Sequence, residues 1–228
     1  MSNLLERLAS GEILVSDGAM GTFLQARGLK AGECPEVWCV THPEVVREIG
    51  LSYVQAGSDI IETNTFGGTS FKLREFGMAD RTVEFNMAAA RLAKEAAGGQ
   101  ALVAASVGPT GQIVESEGGT ASETDLYEAY REQVMALEHG GADALCIETM
   151  SSVAEAAQAV RAARENTHLP VICTFTFEAG ARGFRTMMGV DPARAVSEAL
   201  EAGANIVGAN CGNGIENMIE IARQIRQA

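Results

Sequence analysis

Ala202-Gly203-Ala204-Asn205-Ile206-Val207-Gly208-Ala209-Asn210-Cys211-Gly212 reads as a helix end, a short buried strand, and a polar tip carrying a thiol and a glycine. The same cadence occurs twice earlier, at Ala56-Gly57-Ser58-Asp59-Ile60-Ile61-Glu62-Thr63-Asn64 and at Gly140-Gly141-Ala142-Asp143-Ala144-Leu145-Cys146-Ile147-Glu148-Thr149. In each, a small residue and a glycine stop a helix, an Asp or Asn turns the chain, and apolar residues make a strand. Polar groups sit where each strand ends. Strands sharing this ending and separated by helices predict a parallel α/β barrel of the TIM type, with its chemistry at the strand C-termini.

Outward from these copies the chain alternates strands and helices. Glu12–Ser16 and 101–107 read as strands, and Val171–Phe177 is a β-branched and aromatic one. Helices are predicted over 4–9, 43–55, 82–97, 124–139 and 152–165, from Asp191-Pro192 onward, and over 215–227. Segments 28–38, 108–120 and 178–188 read as loops, and the second is long enough to suggest a functional one. The tally is about six βα units, where a closed barrel uses about eight. The expectation is therefore one domain over 1–228, an incomplete (β/α)8 barrel with open edges at its first and sixth strands. Open edges invite self-association.

The 228 residues carry 46% hydrophobic and 21% charged residues, an ordinary globular composition. A net charge of −13 disfavours phosphate backbones and anionic lipid, so neither nucleic acid nor membrane is an expected partner. Met1-Ser2-Asn3-Leu4-Leu5-Glu6-Arg7 lacks the basic start and apolar run of a signal peptide, and no apolar stretch approaches a membrane span. Five cysteines without Cys-x-x-Cys spacing predict reduced thiols and a cytoplasmic location.

Candidate chemistry gathers at the strand ends. Asp17, between Ser16 and Gly18, is either a turn-forming Asx or a site carboxylate. Glu62 and Glu148 hold matching places in two copies, where a carboxylate takes a substrate ammonium or a solvated rim position. Thr63, Asn64 and Thr65 add neutral hydrogen-bonding groups. Cys211 opens a Gly-Asn-Gly loop, where a thiolate binds zinc, acts as a nucleophile, or simply packs. Cys146 and Cys173 lie inside strand runs and read as core, and Cys34 and Cys39 flank Pro35 and Trp38 as a weak metal pair. No phosphate-loop or dinucleotide pattern occurs, so no nucleotide cofactor is expected.

Asp17-Gly18-Ala19-Met20-Gly21-Thr22, Glu62-Thr63-Asn64-Thr65-Phe66-Gly67, Val107-Gly108-Pro109-Thr110-Gly111, Glu148-Thr149 and Asn210-Cys211 together resemble the homocysteine S-methyltransferase family. They look most like the homocysteine-binding domain of cobalamin-dependent methionine synthase. The resemblance implies a TIM-like barrel that transfers a methyl group to a zinc-activated homocysteine thiolate, giving methionine. It implies that Asp17, Gly18, Ala19, Thr63, Glu148 and Asn210 bind the amino acid and that Cys211 is catalytic as a zinc ligand. The family's other two thiolates form an adjacent Cys-Cys pair, and no such pair occurs in these 228 residues. The implied donor is methylcobalamin on a partner corrinoid protein, since no Asp-x-His-x-x-Gly corrinoid-binding pattern occurs here. The alternative is a non-catalytic module that binds an amino acid or a corrinoid protein.

Overall fold

A computed structural model describes residues 3–228. The helices are α1 (Leu4–Ala9), α2 (Gly21–Ala26), α3 (Trp38–Thr41), α4 (Pro43–Ala56), α5 (Ser70–Arg74), α6 (Thr82–Ala97), α7 (Glu123–Gly140), α8 (Val153–Asn166), α9 (Pro192–Ala202) and α10 (Ile215–Gln227). The strands are β1 (Ile60–Glu62), β2 (Leu102–Val107), β3 (Ala144–Met150), β4 (Val171–Phe175), β5 (Glu178–Gly180), β6 (Gly183–Arg185) and β7 (Ile206–Ala209). Five of them form one parallel sheet in the order β1-β2-β3-β4-β7. The helices between consecutive strands bury their small-residue faces against it. This is an α/β fold consistent with an incomplete TIM-type barrel.

The repeated cadence has a specific job in this sheet. Gly57, Gly141 and Gly203 end α4, α7 and α9 with φ of 101°, 101° and 108°, values that a side chain strains to adopt. Two residues on, Asp59, Asp143 and Asn205 each grip one valine of the segment that lies beside the new strand in the sheet, through both of its backbone groups. Their N–H groups donate to the carbonyls of Val15, Val103 and Val171, each at 2.8 Å. Their side-chain oxygens accept from the N–H of the same three residues at 2.9, 2.8 and 2.9 Å. Each copy therefore sets the register of the strand it begins against the strand already laid down.

Three expectations change. Residues 12–16 form only a single parallel bridge, Ser16 to Ile60, instead of a strand. This segment has a partner on one side only, and its Ile13 is 89% exposed, so little burial stabilises a longer ladder. Residues 178–185, read as loop, form the two-stranded antiparallel ribbon of β5 and β6. Pro35 opens a 3-10 turn, Pro35–Val37, that leads into α3 within the segment read as loop up to Trp38.

The central strands of the sheet bury both faces, β2 along its whole length and β3 over its first four residues, and side chains alternate along them. Ile61, Val103, Leu145, Ile147, Val171 and Cys173 pack outward among the helices. Leu102, Ala104, Ala144 and Cys146 face the concave side, where Leu4 of α1 joins the same cluster. The loop after β2 is anchored by buried Glu155 of α8, which accepts from the Thr110 N–H at 2.7 Å, the Thr110 hydroxyl at 2.6 Å and the Tyr130 hydroxyl at 2.9 Å.

Candidate active site at the mouth of the sheet

The alternation that fills the concave side with apolar residues ends in polar ones at the strand C-termini. Ile60 then Glu62, Ala104 then Ser106, Cys146 then Glu148, and Ile172 then Thr174 line one cavity of about 850 Å³. Asp17, Gly18 and Ala19 close one side of it, and Asn210 and Cys211 the other. The structure thus brings together Asp17, Gly18, Ala19, Thr63, Glu148, Asn210 and Cys211, the residues that the sequence singled out. Glu62, which the sequence also offered as a strand-end carboxylate, joins them, as do Ser106 and Thr174, which it did not offer. Their signal was positional: each lies two residues beyond a concave-side apolar residue.

Asn210 organises the far side. Its amide donates to Glu148 Oε2 at 2.9 Å and to Thr149 Oγ1 at 2.8 Å, while its oxygen accepts from the Thr149 N–H at 3.0 Å and the Thr174 hydroxyl at 2.9 Å. Glu148 Oε1 accepts from the Ser106 hydroxyl at 2.5 Å, so this carboxylate is gripped from two strands. Thr149 and Cys211 have φ of 62° and 56°, left-handed values that cost a non-glycine residue of order 1–2 kcal/mol. The strain has a visible result. At Thr149 the register of β3 with β4 shifts, so Glu148 and Thr149 both face the cavity instead of alternating. The thiol of exposed Cys211 lies 3.8 Å from Thr149 Oγ1.

On the near side, Asp17 Oδ2 accepts from the Glu62 N–H at 2.8 Å. Among the described residues, the N–H groups of Gly18 and Ala19 donate to no protein acceptor. A Cβ at Gly18 would come within 3.0 Å of the Tyr53 hydroxyl, which itself donates to the Ala19 carbonyl, so glycine lets this turn lie against α4. Thr63 is committed to the scaffold: its hydroxyl lies 2.5 Å from that of Thr65 and accepts from the Ser106 N–H at 3.1 Å.

The electrostatics are one-sided. Asp17, Glu62 and Glu148 share the cavity, and none has a Lys, Arg or His ion-pair partner among the described residues. Burial, with the charge of Glu148, pushes Asp17 up to about 6. Burial, with the charges of Glu148 and Asp17, pushes Glu62 up to about 8. Such a cavity favours a cation. For zinc the fit is incomplete. Among the described residues no three His, Cys, Asp or Glu side chains converge on a metal position. Cys211 offers one thiolate where a structural or catalytic zinc takes three or four protein ligands. Cys34 and Cys39 are no metal pair either, their thiols donating to Glu36 Oε2 and the Asn64 carbonyl.

A concave parallel sheet with acids at its strand ends places this chain among barrel proteins that recognise a small ligand at the C-terminal face. A family profile described as homocysteine S-methyltransferase matches residues 14–228, and the chain belongs to that family of enzymes. Betaine–homocysteine S-methyltransferase 1 of Sus scrofa is 34% identical over 214 residues, covering 91% of this chain and 74% of the relative. Methionine synthase of Mycobacterium tuberculosis is 30% identical over 243 residues, 98% of this chain but 20% of that protein. S-methylmethionine–homocysteine S-methyltransferase of Pongo abelii is 30% identical, with 98% and 58% covered. The chain thus spans from 20% to 74% of the length of these relatives. The metallated homocysteine methyltransferase MmuM of Escherichia coli shares the fold, with a TM-score of 0.84 at 23% identity over 99% of this chain and 83% of that one. No described helix is long and apolar enough to cross a membrane.

Proposed function

We propose that this chain binds homocysteine at the mouth of the sheet and presents its sulfur for methylation, yielding methionine. The observation that carries the reading is that one cavity offers partners for both charged groups of an amino acid. Asp17 and Glu148 offer uncompensated carboxylates for the ammonium, and the free N–H groups of Gly18 and Ala19 offer donors for the carboxylate. Glu148 receives the ammonium in a fixed position because Ser106 and Asn210 hold it. Thr63 and Asn210 shape the pocket through the groups they anchor.

Methyl transfer breaks the homocysteine S–H bond, whose proton passes to solvent, forms one S–CH3 bond, and breaks the bond between methyl and donor, whose electron pair leaves with the donor. Cys211 stands at the rim where the sulfur would lie, and it is the exposed one of the two cysteines that line the site. Among the described residues no set of side chains completes a zinc site. Similarity to methionine synthase supports a methylcobalamin donor on a corrinoid protein. Similarity to the betaine and S-methylmethionine enzymes supports those small cations instead, and the acid-lined cavity suits them electrostatically. The single thiolate favours a second reading, a module that binds the amino acid or a corrinoid protein without catalysis.

Calorimetric titration with L-homocysteine, followed by assays for methionine with methylcobalamin, betaine or S-methylmethionine and added zinc, separates these readings. Homocysteine binding weakened at least about tenfold by Asp17→Ala or Glu148→Ala supports the pocket, as loss of one charged partner costs ~1.5–3 kcal/mol. Methionine formed from one donor identifies it. Binding with no methionine from any donor selects the module, and no binding refutes both amino-acid readings.

A further inference from the structure

Asp17, Glu62 and Glu148 share the cavity without a cationic partner among the described residues, and strong protein donors hold two of these three carboxyls. Glu148 accepts from Ser106 and Asn210, and Asp17 accepts from the Glu62 N–H. The Glu62 side chain has only the Cys146 thiol, a weak donor. It faces the Cys146 thiol and the carboxyls of Asp17 and Glu148. The other charged groups lining the cavity are already occupied. Lys72 donates to Glu75 at 3.0 Å, and Glu36 is buried, accepting from the Gly67 N–H at 2.8 Å and the Cys34 thiol at 3.2 Å. Three acids placed together without a counter-cation do not all ionise, and the proton settles on the one whose charged form is least stabilised.

We infer that Glu62 holds a proton in the ligand-free pocket and surrenders it to solvent when the ammonium of an amino-acid ligand enters among the three carboxyls. The step breaks the Glu62 O–H bond and sends the proton to buffer. The ammonium replaces it as the positive partner, so the net charge summed over the three carboxyls and the ammonium is the same before and after. Burial and the two neighbouring carboxylates push Glu62 up to about 8, which agrees with a proton present at neutral pH. Glu62 thereby becomes a gate on charge: a ligand with a cationic group can displace the proton, and a neutral analogue cannot. The inference rests on the homocysteine reading for its ligand and extends it to a residue that the family resemblance left without a role.

The test is calorimetric titration of the whole chain with L-homocysteine, and with L-methionine, which has no thiol proton to lose. Titrations at pH 7 in two buffers of different ionisation enthalpy count the protons released. The expected result is about one proton released per ligand bound, with both ligands, and close to none in Glu62→Gln. Native affinity should also rise about tenfold between pH 6.5 and 7.5, with a flatter profile in the variant. Binding by the native chain without proton release overturns the inference and leaves the homocysteine reading standing. Equal release by native and Glu62→Gln, with the variant's fold confirmed by circular dichroism, overturns it as well. No binding of either amino acid overturns both. The native two-buffer comparison decides the matter even where Glu62→Gln fails to fold.

Discussion

Asn210 shows how one side chain can govern a site through its neighbours. Its amide spends its hydrogen-bonding capacity on Glu148, Thr149 and Thr174, so its influence on a ligand passes through the Glu148 carboxylate. Asn210→Ala is expected to weaken homocysteine binding about tenfold or more by freeing Glu148 to rotate, with a stability loss of about 2 kcal/mol. Titration and thermal melting measure the two, and unchanged affinity would reduce Asn210 to a scaffold residue. The raised carboxyls make a second prediction. Asp17 and Glu62 keep their protons longer in the fold than in the unfolded chain, where they titrate near 3.8 and 4.5. Their contribution is fully present below pH ~4 and is lost as pH rises through about 6 for Asp17 and about 8 for Glu62. The melting temperature should therefore fall between pH 5 and pH 8 by at least ~2–4 °C, the equivalent of ~1 kcal/mol in a domain of this size. Glu62→Gln should flatten the upper half of that window. A melting temperature constant over the range would mean that both acids ionise in the fold at their ordinary values.

The elements owe their order to the three Gly-x-Asp or Gly-x-Asn copies. A pattern visible as mere punctuation in the sequence is physically a two-pronged clamp from one strand to the segment beside it in the sheet. Asn205→Ala removes the side-chain prong from Val171, leaving its N–H unsatisfied, and should cost ~1–3 kcal/mol by denaturant unfolding with an unchanged m-value. A cost near zero would show that the backbone prong, Asn205 N–H to the Val171 carbonyl, sets the register alone. The same copies explain what was legible beforehand. Helices 82–97 and 215–227 were readable to the residue, because amphipathic periodicity is carried within each element. The acids and the thiol at strand ends were readable because period-two alternation and the Asx punctuation place them. Residues 12–16 failed as a strand because a ladder also needs partners, which local sequence does not display. The left-handed turns at Thr149 and Cys211 were invisible for a related reason, since neighbouring strands impose them against the residues' own preference. The role of Asn210 as an anchor likewise depends on three other elements.

At the scale of the molecule the sheet ends in edges. The 12–16 segment meets β1 on one side only, and β7 pairs with β4 on one side only. Beside β7, α10 exposes Ile215 and Ile219, at 67% and 46%. An unpaired strand next to exposed branched aliphatics is a surface that gains from being covered. The charge of −13 opposes close approach of two copies, so association should strengthen as salt screens that repulsion. Sedimentation velocity across ~1–100 μM is expected to show concentration-dependent association that grows between low and physiological salt. The double variant Ile215→Glu/Ile219→Glu should shift the chain to monomer without changing homocysteine affinity, because both residues lie outside the cavity lining. A native chain that stays monomeric throughout, with little binding of an apolar dye, would show that the edges are protected by their own twist and charge. The outcome also bears on the single thiolate of Cys211, since a monomer has only its own residues with which to hold a metal, whereas an associated form adds a second copy's donors.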